Sequence, residues 1–234
     1  MTTLAFMHGW GATGRAWQGV EQAFPQEVQV EAPTLPEWQT EWVARWLAGL
    51  PLARTLAVGW SLGGCLLVEA VARFGVRPAA MMLVGVPAVF CQRPDFPDGQ
   101  PPAVVRAMRR ALFQDPARVL ADFARRALAP GEAAWEEKAL QLFPAGQSPA
   151  HLAAGLDYLL TADLRPYLKQ VPVPVTLVQG EGDAIVGPSQ AKYLEENLPQ
   201  AQAVLLPGAG HLPFLTRARE FQAILADRLK ECSQ

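Results

Sequence analysis

The stretch that decides the fold is residues 56–64, which read Leu56-Ala57-Val58-Gly59-Trp60-Ser61-Leu62-Gly63-Gly64. An apolar run typical of a buried strand leads into Gly-x-Ser-x-Gly, and a helical pattern begins near Leu62. This context predicts a sharp strand-to-helix turn that presents Ser61 as a nucleophile, with glycines on both sides so that the chain can pass closely. The alternative is an ordinary turn. The chain has three other serines, none with comparable flanks: Ser148, Ser189 and Ser233.

Short apolar runs alternate with helical patterns on both sides of this stretch. The alternation indicates βαβ units and a mostly parallel sheet with helices on both faces, an α/β fold. The predicted strands are residues 2–7, 28–31, 56–59, 81–86, 175–180 and 203–206. The predicted helices are residues 17–24, 38–50, 62–74, 189–198 and 214–229.

The alternation stops between residues 94 and 168, where helical patterns follow one another and prolines divide them. We therefore predict an all-helical insertion, the lid, over residues 94–168. The α/β core would then consist of residues 1–93 and 169–234. The length agrees, since 234 residues exceed a typical domain of about 150 residues by roughly half.

The composition excludes several functional classes. Twenty Lys and Arg against 22 Asp and Glu give a net charge of -2, which removes the usual electrostatic argument for nucleic-acid binding. The three scattered cysteines match neither a zinc site nor a CxxC motif. No metal-ligand set, phosphate loop or dinucleotide motif is present, so no metal and no cofactor is expected. The start of the chain does not resemble a signal peptide, and its most apolar run, residues 79–91, is too short to span a bilayer. We expect a cytoplasmic monomer that binds neither membrane nor nucleic acid.

A serine nucleophile needs a base, and the chain has three histidines. His211 follows the last predicted strand, which places it at the same edge of the sheet as Ser61. We predict that His211 is the base, with a capping or structural histidine as the alternative. His8 lies in the loop after the first strand and is expected to shape that loop. His151 lies in the lid and is expected to be a surface or lid residue.

A third group must orient the imidazole of the base and stabilise its cation. Asp183 follows the strand predicted over residues 175–180 and so lies at the same edge. Glu181 is the alternative acid. Most other carboxylates lie on helical patterns and are expected to be solvated.

Acyl transfer also needs two N–H donors for the oxyanion. We predict the backbone N–H of Leu62, directly after the nucleophile, and that of Trp10, between two glycines in the loop after the first strand. The alternative for that loop is a glycine-rich turn with a packed Trp. The side chains of Trp10 and Phe123 are expected to contact the substrate.

Other residues near these motifs are expected to pack in the interior. These are Trp38, Trp42 and Trp46 along one helix, and Cys65 after the nucleophile. Trp60 could either pack in the interior or belong to the site.

Four motifs occur in a fixed order, with the lid between the second and the third: HGWG at 8–11, GWSLGG at 59–64, GEGDAIVGP at 180–188 and GAGHLPF at 208–214. In this order the chain resembles the α/β-hydrolase superfamily. With TADLR at 161–165 it is most similar to the pimeloyl-[acyl-carrier protein] methyl ester carboxylesterases of biotin synthesis. The resemblance implies a cofactor-free serine esterase with a triad and an oxyanion hole formed by Ser61, Asp183, His211, Trp10 and Leu62.

The charge of the lid bears on the carrier protein that this resemblance implies as a partner. Residues 100–130 contain six Arg and two Asp, a net charge of +4, which leaves -6 for the rest of the chain. A basic lid on an acidic body would attract an acidic acyl carrier protein; a solvated helix surface is the alternative. Arg118 and Arg125, seven residues apart on one helix face, are the first candidates for this contact.

Three other functions stay open at this point. The same motifs would serve a carboxylesterase or thioesterase for small free substrates, with the lid arginines only solvating the surface. The triad does not fix the bond that is broken, so a C–C hydrolase or lyase is a further alternative. A binding module that has lost its chemistry is the last.

Overall fold

A parallel sheet forms the centre of the molecule. The structure is a computed structural model and describes residues 1–22, 24 and 28–232. Its strands are β1 (Thr2–Met7), β2 (Val28–Glu31), β3 (Thr55–Trp60), β4 (Ala80–Val84), β5 (Val175–Gly180) and β6 (Ala201–Leu206). The order across the sheet is β2-β1-β3-β4-β5-β6, and every neighbouring pair is parallel. All residues of β3, β4 and β5 are buried, because helices cover both faces of a parallel sheet.

The helices follow the strands and also form the lid. They are α1 (Gln18–Glu21), α2 (Thr40–Ala48), α3 (Leu62–Phe74), α4 (Pro102–Ala111), α5 (Pro116–Arg126), α6 (Glu136–Leu142), α7 (Pro149–Thr161), α8 (Pro188–Asn197), α9 (Pro213–Thr216) and α10 (Ala218–Glu231). Short 3₁₀ turns cover Gly14–Trp17, Leu52–Arg54, Pro130–Trp135 and Leu168–Gln170. Helices α4, α5 and α7 of the lid have a proline in their first turn, and α6 follows a 3₁₀ turn that also begins with a proline. Proline suits these positions, because the N–H group that it lacks has no partner in the first turn of a helix.

The predicted α/β class is confirmed, and β1, β2, β5 and α3 have the predicted bounds. Strand β4 ends at Val84, two residues earlier than predicted, because Gly85 takes a φ of 54° and leaves the extended conformation. The helix predicted over residues 17–24 was wrong in extent: a 3₁₀ turn precedes α1, which ends at Glu21, and residue 23 lies outside the described residues.

The helix predicted over residues 214–229 was also wrong, since the structure has two helices that part at Arg217. Its backbone leaves the helical region there, with φ -122° and ψ 43°. Phe214 and Phe221 lie on either side of the break, and both rings contact Trp17. A helix of 4 residues and one of 14 residues therefore cover the core where one helix was expected.

Helices α4 to α7 form the lid between β4 and β5. The two chain segments at its base are joined by an ion cluster: Asp163 accepts hydrogen bonds from Arg93 at 3.1 Å and from Arg165 at 2.7 Å. The Leu164 N–H also donates to the Ala88 carbonyl at 2.8 Å. The structure describes all of residues 94–168, and none of the six strands lies within them. The division into core and lid at 94 and 168 stays a prediction.

One packing prediction needs correction. Trp42 and Trp46 lie on α2 with their rings stacked, but Trp38 precedes the helix and does not share its face. Trp38 packs on the lid instead: its indole stacks on His151 at 4.9 Å and donates to the His151 carbonyl at 2.9 Å. The helix predicted from Trp38 begins only at Thr40, because Gln39 is extended, with a φ of -121° and a ψ of 129°. In the described part of the chain no helix is both long and apolar enough to cross a bilayer.

Candidate active site

Ser61 lies on a strained turn between β3 and α3. Its φ of 53° and ψ of -123° make it the one residue other than glycine with a positive φ in the described ranges. The turn is possible only with glycines around it: a Cβ on Gly59 would lie 2.5 Å from the Gly64 Cα, and one on Gly63 would lie 2.4 Å from the His8 carbonyl oxygen. The strand-turn-helix predicted from residues 56–64 is confirmed in its geometry.

Asp183 and His211 form a buried pair. The His211 Nδ1 and the Asp183 Oδ2 are 2.7 Å apart, and both side chains are fully buried. A carboxylate only accepts hydrogen bonds, so Nδ1 carries the proton and Nε2 is left with its lone pair. The other oxygen, Oδ1, accepts from the N–H groups of Ile185 and Val186, both at 2.8 Å. These donors fix the carboxylate with one oxygen toward the imidazole.

Ser61 and His211 have neighbours in common at one edge of the sheet. The Ser61 N–H donates to the Val84 carbonyl at 2.9 Å, and the next residue, Gly85, lies so close to the pair that its Cβ would stand 2.9 Å from the His211 Nδ1. The indole of Trp60 donates to the His211 carbonyl at 3.0 Å. The His211 Nε2 has no hydrogen-bond partner among the described residues. The hydrogen bond between a nucleophile and its base is often long in the free enzyme and shortens in the complex with substrate. An Nε2 that is free to accept a proton is therefore compatible with a base.

The loop after β1 packs directly on this turn. A Cβ on Gly9 would lie 3.2 Å from the Ser61 Cβ and 3.0 Å from the Trp60 ring. The backbone N–H groups of Trp10 and Leu62 donate to no other group in the ranges that the structure describes. Both predicted donors are therefore free, and Leu62 opens α3, whose N-terminal end favours negative charge.

His8 holds the loop in place. Its Nδ1 donates to the Gly9 carbonyl and its Nε2 accepts from the Leu35 N–H, both at 2.9 Å. Burial lowers the pKa of His8 to about 4, so the imidazole is neutral near pH 7. This matches the expected loop-shaping role.

His151 and Cys65 were expected to stay outside the chemistry. His151 is half-buried against Trp38 on the lid. Cys65 is fully buried, and burial raises the pKa of its thiol, which leaves it unreactive. Both positions match the expectations.

A narrow cavity lies above Ser61 under the lid. Trp10 and Phe123 line it, with ring centroids 5.0 Å apart, together with apolar residues of α4 and α7. The space open to the centre of a water-sized sphere is only about 30 Å³, so the cavity is narrow. A substrate with a chain of several carbons therefore requires lid side chains to move. A wider groove of about 580 Å³, lined by Arg15 and Lys138, contains none of the three candidate catalytic residues.

The two predicted carrier-binding arginines differ in their surroundings. The Arg118 side chain is 78% exposed and lies 3.7 Å from Asp122. Arg125 is held by Glu136 at 2.8 Å and by Asp122 at 3.3 Å. Both contact Asp122, so they share a face as expected, but most of the charge of Arg125 is compensated.

Sequence reasoning missed Gln179, Gln100 and Arg126 among the residues of the site. Gln179 donates to the Asp183 Oδ2 at 3.3 Å and to the Val186 carbonyl at 2.8 Å; a lone polar residue near the end of a buried strand was the available signal. Gln100 and Arg126 lie 3.4 Å apart at the rim of the cavity. Only the folded lid brings them there, so no local pattern marks them.

A strained serine, a buried Asp–His pair and two free N–H donors lie together in this fold, and the comparison with known families agrees with it. The model of the alpha/beta hydrolase fold family matches residues 18–218. The chain belongs to this family. The resemblance inferred from the four motifs is confirmed.

Individual relatives are similar over nearly the whole length. A pimeloyl-[acyl-carrier protein] methyl ester esterase of Nitrosomonas europaea is 30% identical over 93% of this chain and 92% of its own. One of Aromatoleum aromaticum is 29% identical over 96% of each chain. Among solved structures, an esterase of Exiguobacterium antarcticum superposes with a TM-score of 0.88 over 98% of this chain and 92% of its own, at 20% identity. That last likeness concerns the fold alone.

Proposed function

We propose that this protein hydrolyses the methyl ester of pimeloyl-[acyl-carrier protein], with Ser61 as nucleophile, His211 as base and Asp183 as the group that orients it. The observation that carries the chemistry is the buried Asp183–His211 pair, 2.7 Å apart, at the same sheet edge as the strained Ser61. The two named relatives support the choice of substrate. At the coarser level, the fold and these relatives indicate an esterase of the α/β-hydrolase type.

The proposed reaction has two steps. The Ser61 Oγ attacks the ester carbonyl carbon and its proton passes to the His211 Nε2. The oxyanion accepts hydrogen bonds from the N–H groups of Trp10 and Leu62. As the intermediate collapses, the C–O bond to the methoxy group breaks and the leaving oxygen takes the proton from Nε2, which releases methanol. Water then attacks the acyl-enzyme, gives its proton to Nε2, and the acid leaves as Ser61 is restored.

Selectivity for the methyl ester over the carrier thioester requires that the far end of the acyl chain be placed by the lid. Arg126 is the one charged side chain that lines the cavity among the described residues. Arg106, Arg110 and Arg126 form no ion pair with another residue in the described ranges, unlike Arg109, which is paired with Asp157. These unpaired arginines would attract an acidic carrier to the lid, and Arg126 would bring it to the cavity.

The substrate assignment is tested by turnover of methyl pimeloyl carrier protein beside p-nitrophenyl esters of increasing chain length. We expect kcat/KM for the carrier-bound ester to exceed that for every p-nitrophenyl ester, with the thioester left intact. Hydrolysis of only the short p-nitrophenyl esters would contradict the carrier substrate.

The carrier contact is tested by the double variant Arg118→Glu and Arg125→Glu. We expect a higher KM for the carrier-bound ester and an unchanged KM for p-nitrophenyl butyrate. The matched control reverses two exposed arginines of the core, Arg54→Glu and Arg77→Glu, which changes the net charge equally. Equal effects of the lid variant on both substrates would sink the assignment of this surface.

A small-substrate esterase is the second candidate, and the size of the cavity favours it. About 30 Å³ of open space suits a short acyl group better than a seven-carbon chain. The chain-length series above separates the two, because a small-substrate enzyme would lose activity as the acyl group lengthens.

A further inference from the structure

We propose that Glu132 of the lid is a positioning residue that holds the loop of the catalytic base; the inference rests on the proposed role of His211. Glu132 lies in the 3₁₀ turn Pro130–Trp135, between α5 and α6, and only 2% of it is exposed. Its Oε2 accepts from the Gly210 N–H at 2.9 Å. Gly210 is the residue directly before His211, so a carboxylate of the lid is hydrogen-bonded to the backbone next to the candidate base.

A second hydrogen bond joins the same two segments. The His211 N–H donates to the Ala127 carbonyl at 2.7 Å, and Ala127 directly follows α5. The lid segment from Ala127 to Glu132 thus satisfies two successive N–H groups of the loop. The contact is close: a Cβ on Gly210 would lie 2.5 Å from the Ala127 oxygen and 2.9 Å from the Glu132 Oε2.

These bonds act on the ring of His211 through its backbone. On its other side the His211 carbonyl accepts from the Trp60 indole and its Nδ1 is bound to Asp183. The imidazole is therefore fixed from three directions, and one of them comes from the lid. Without that bond the loop can shift, and a displacement near 1 Å at a catalytic group costs about a hundredfold in rate.

The simpler interpretation is that Glu132 only caps its own turn. The same Oε2 accepts from the Ala129 N–H at 2.9 Å, which is such a cap. A cap needs no burial, however, and Asp115 caps α5 from an exposed position. The other oxygen of Glu132, Oε1, is buried without a hydrogen-bond partner among the described residues. A buried unpartnered oxygen lowers stability, and functional sites are where such costs are expected.

The test compares Glu132→Ala and Glu132→Gln on p-nitrophenyl butyrate, with active sites counted by a fluorophosphonate probe. We expect Glu132→Ala to lower kcat about tenfold to a hundredfold at an unchanged KM, and to slow labelling of Ser61 in parallel. Glu132→Gln keeps an acceptor oxygen for both N–H groups, so its kcat should stay within about threefold of the parent. The control Asp115→Ala removes a lid cap that does not contact the loop, and should lower Tm while leaving kcat unchanged.

The outcomes separate this inference from the proposed function. If the unaltered protein neither labels at Ser61 nor hydrolyses the ester, the proposed function fails. If it does both and Glu132→Ala retains the parental kcat per labelled site, Glu132 is only a cap and the inference is overturned. Should Glu132→Ala not fold, Glu132→Asp withdraws the carboxylate by roughly 1.5 Å and must lower kcat in the same way; an unchanged kcat overturns the inference.

Discussion

The Asp183 carboxylate has different partners on its two oxygens, and this predicts the effect of Asp183→Asn. The N–H groups of Ile185 and Val186 require an oxygen at the Oδ1 position, so the new NH₂ group must face the His211 Nδ1. That nitrogen then becomes the acceptor and the proton moves to Nε2, where it can no longer accept from Ser61. We expect kcat on p-nitrophenyl butyrate to fall about ten-thousandfold with little change in fold.

The matched control for this variant is Glu181→Gln. Glu181 is exposed, two residues away on the same loop, and was the alternative acid. Its kcat should stay at the parental value. A large loss of kcat in Glu181→Gln together with a small loss in Asp183→Asn would show that Glu181, and not Asp183, is the acid.

His8 predicts a pH dependence of stability. Its pKa is about 4 in the folded protein and 6.5 in the unfolded chain, so between these values the unfolded state binds the proton and the native state does not. Stability is therefore intact above about pH 6.5 and is lost as the pH falls toward 4. The loss due to His8 is about 2 kcal/mol at pH 5 relative to pH 7.5.

The measurement is the free energy of unfolding in urea at pH 7.5 and pH 5, for the parent and for His8→Gln. The variant is less stable at pH 7.5, because it loses the hydrogen bonds of the His8 ring. Its further loss at pH 5 should be smaller than the parent's by about 2 kcal/mol. Equal losses in both proteins would show that other groups carry the acid sensitivity.

At the scale of residues, the sequence marks those parts of the site that follow from local motifs. Ser61 has its glycines within two positions, and Asp183 and His211 each follow a buried strand whose end places them at the active edge. Gly85 and Glu132 act only through contacts made after folding: one leaves room for the Asp–His pair, and the other reaches Gly210 from the lid. No pattern around either residue reports such contacts.

At the scale of elements, strands were predicted better than helices. A mostly apolar run gives both ends of β1 and β5, and the alternation Val-Gln-Val-Glu gives those of β2. The helix expected over residues 214–229 has a continuous helical pattern, but the structure breaks it at Arg217, and Phe214 and Phe221 on either side of the break both pack on Trp17. Tertiary contacts can override such a local preference, and Trp38, which contacts the lid and not α2, is a second position where the local pattern was misleading.

The contact between α7 and the β1 loop predicts the effect of Gly155→Ala. Alanine favours a helix over glycine by about 1 kcal/mol, but its Cβ would lie 2.6 Å from Trp10 and 2.8 Å from the Trp38 indole nitrogen. Either the helix or Trp10 must shift, and Trp10 carries a proposed oxyanion donor. We expect the free energy of unfolding to fall by about 1–3 kcal/mol and kcat to fall with it.

The comparison for Gly155→Ala is Gly131→Ala, also in the lid. No described atom lies within 4 Å of a Cβ at Gly131, so this variant should unfold at the parental urea concentration and keep its kcat. A Gly155→Ala variant with parental stability and kcat would mean that α7 adapts without moving Trp10.

At the scale of the whole molecule, the net charge of -2 conceals two regions of opposite sign. Residues 100–130 carry +4 and the rest of the chain -6. The ion pairs of the lid change this estimate. The charges of Arg109 and Arg125 are compensated by carboxylates. No ion pair with a described residue is formed by Arg106, Arg110 or Arg126. Of these three, Arg126 lines the cavity above Ser61, so part of the charge available to an acidic partner lies at the cavity itself.

This distribution predicts how salt affects the two substrate classes. Raising NaCl from about 50 to about 300 mM shortens the Debye length from roughly 14 to 6 Å and screens the attraction between the lid and an acidic carrier. We expect kcat/KM for methyl pimeloyl carrier protein to fall several-fold, mainly through KM, while kcat/KM for neutral p-nitrophenyl butyrate stays constant. The triple variant Arg106→Gln, Arg110→Gln and Arg126→Gln should flatten the salt dependence for the carrier substrate. A salt dependence that is the same for both substrates, or unchanged in this variant, would remove the electrostatic basis for carrier docking at the lid.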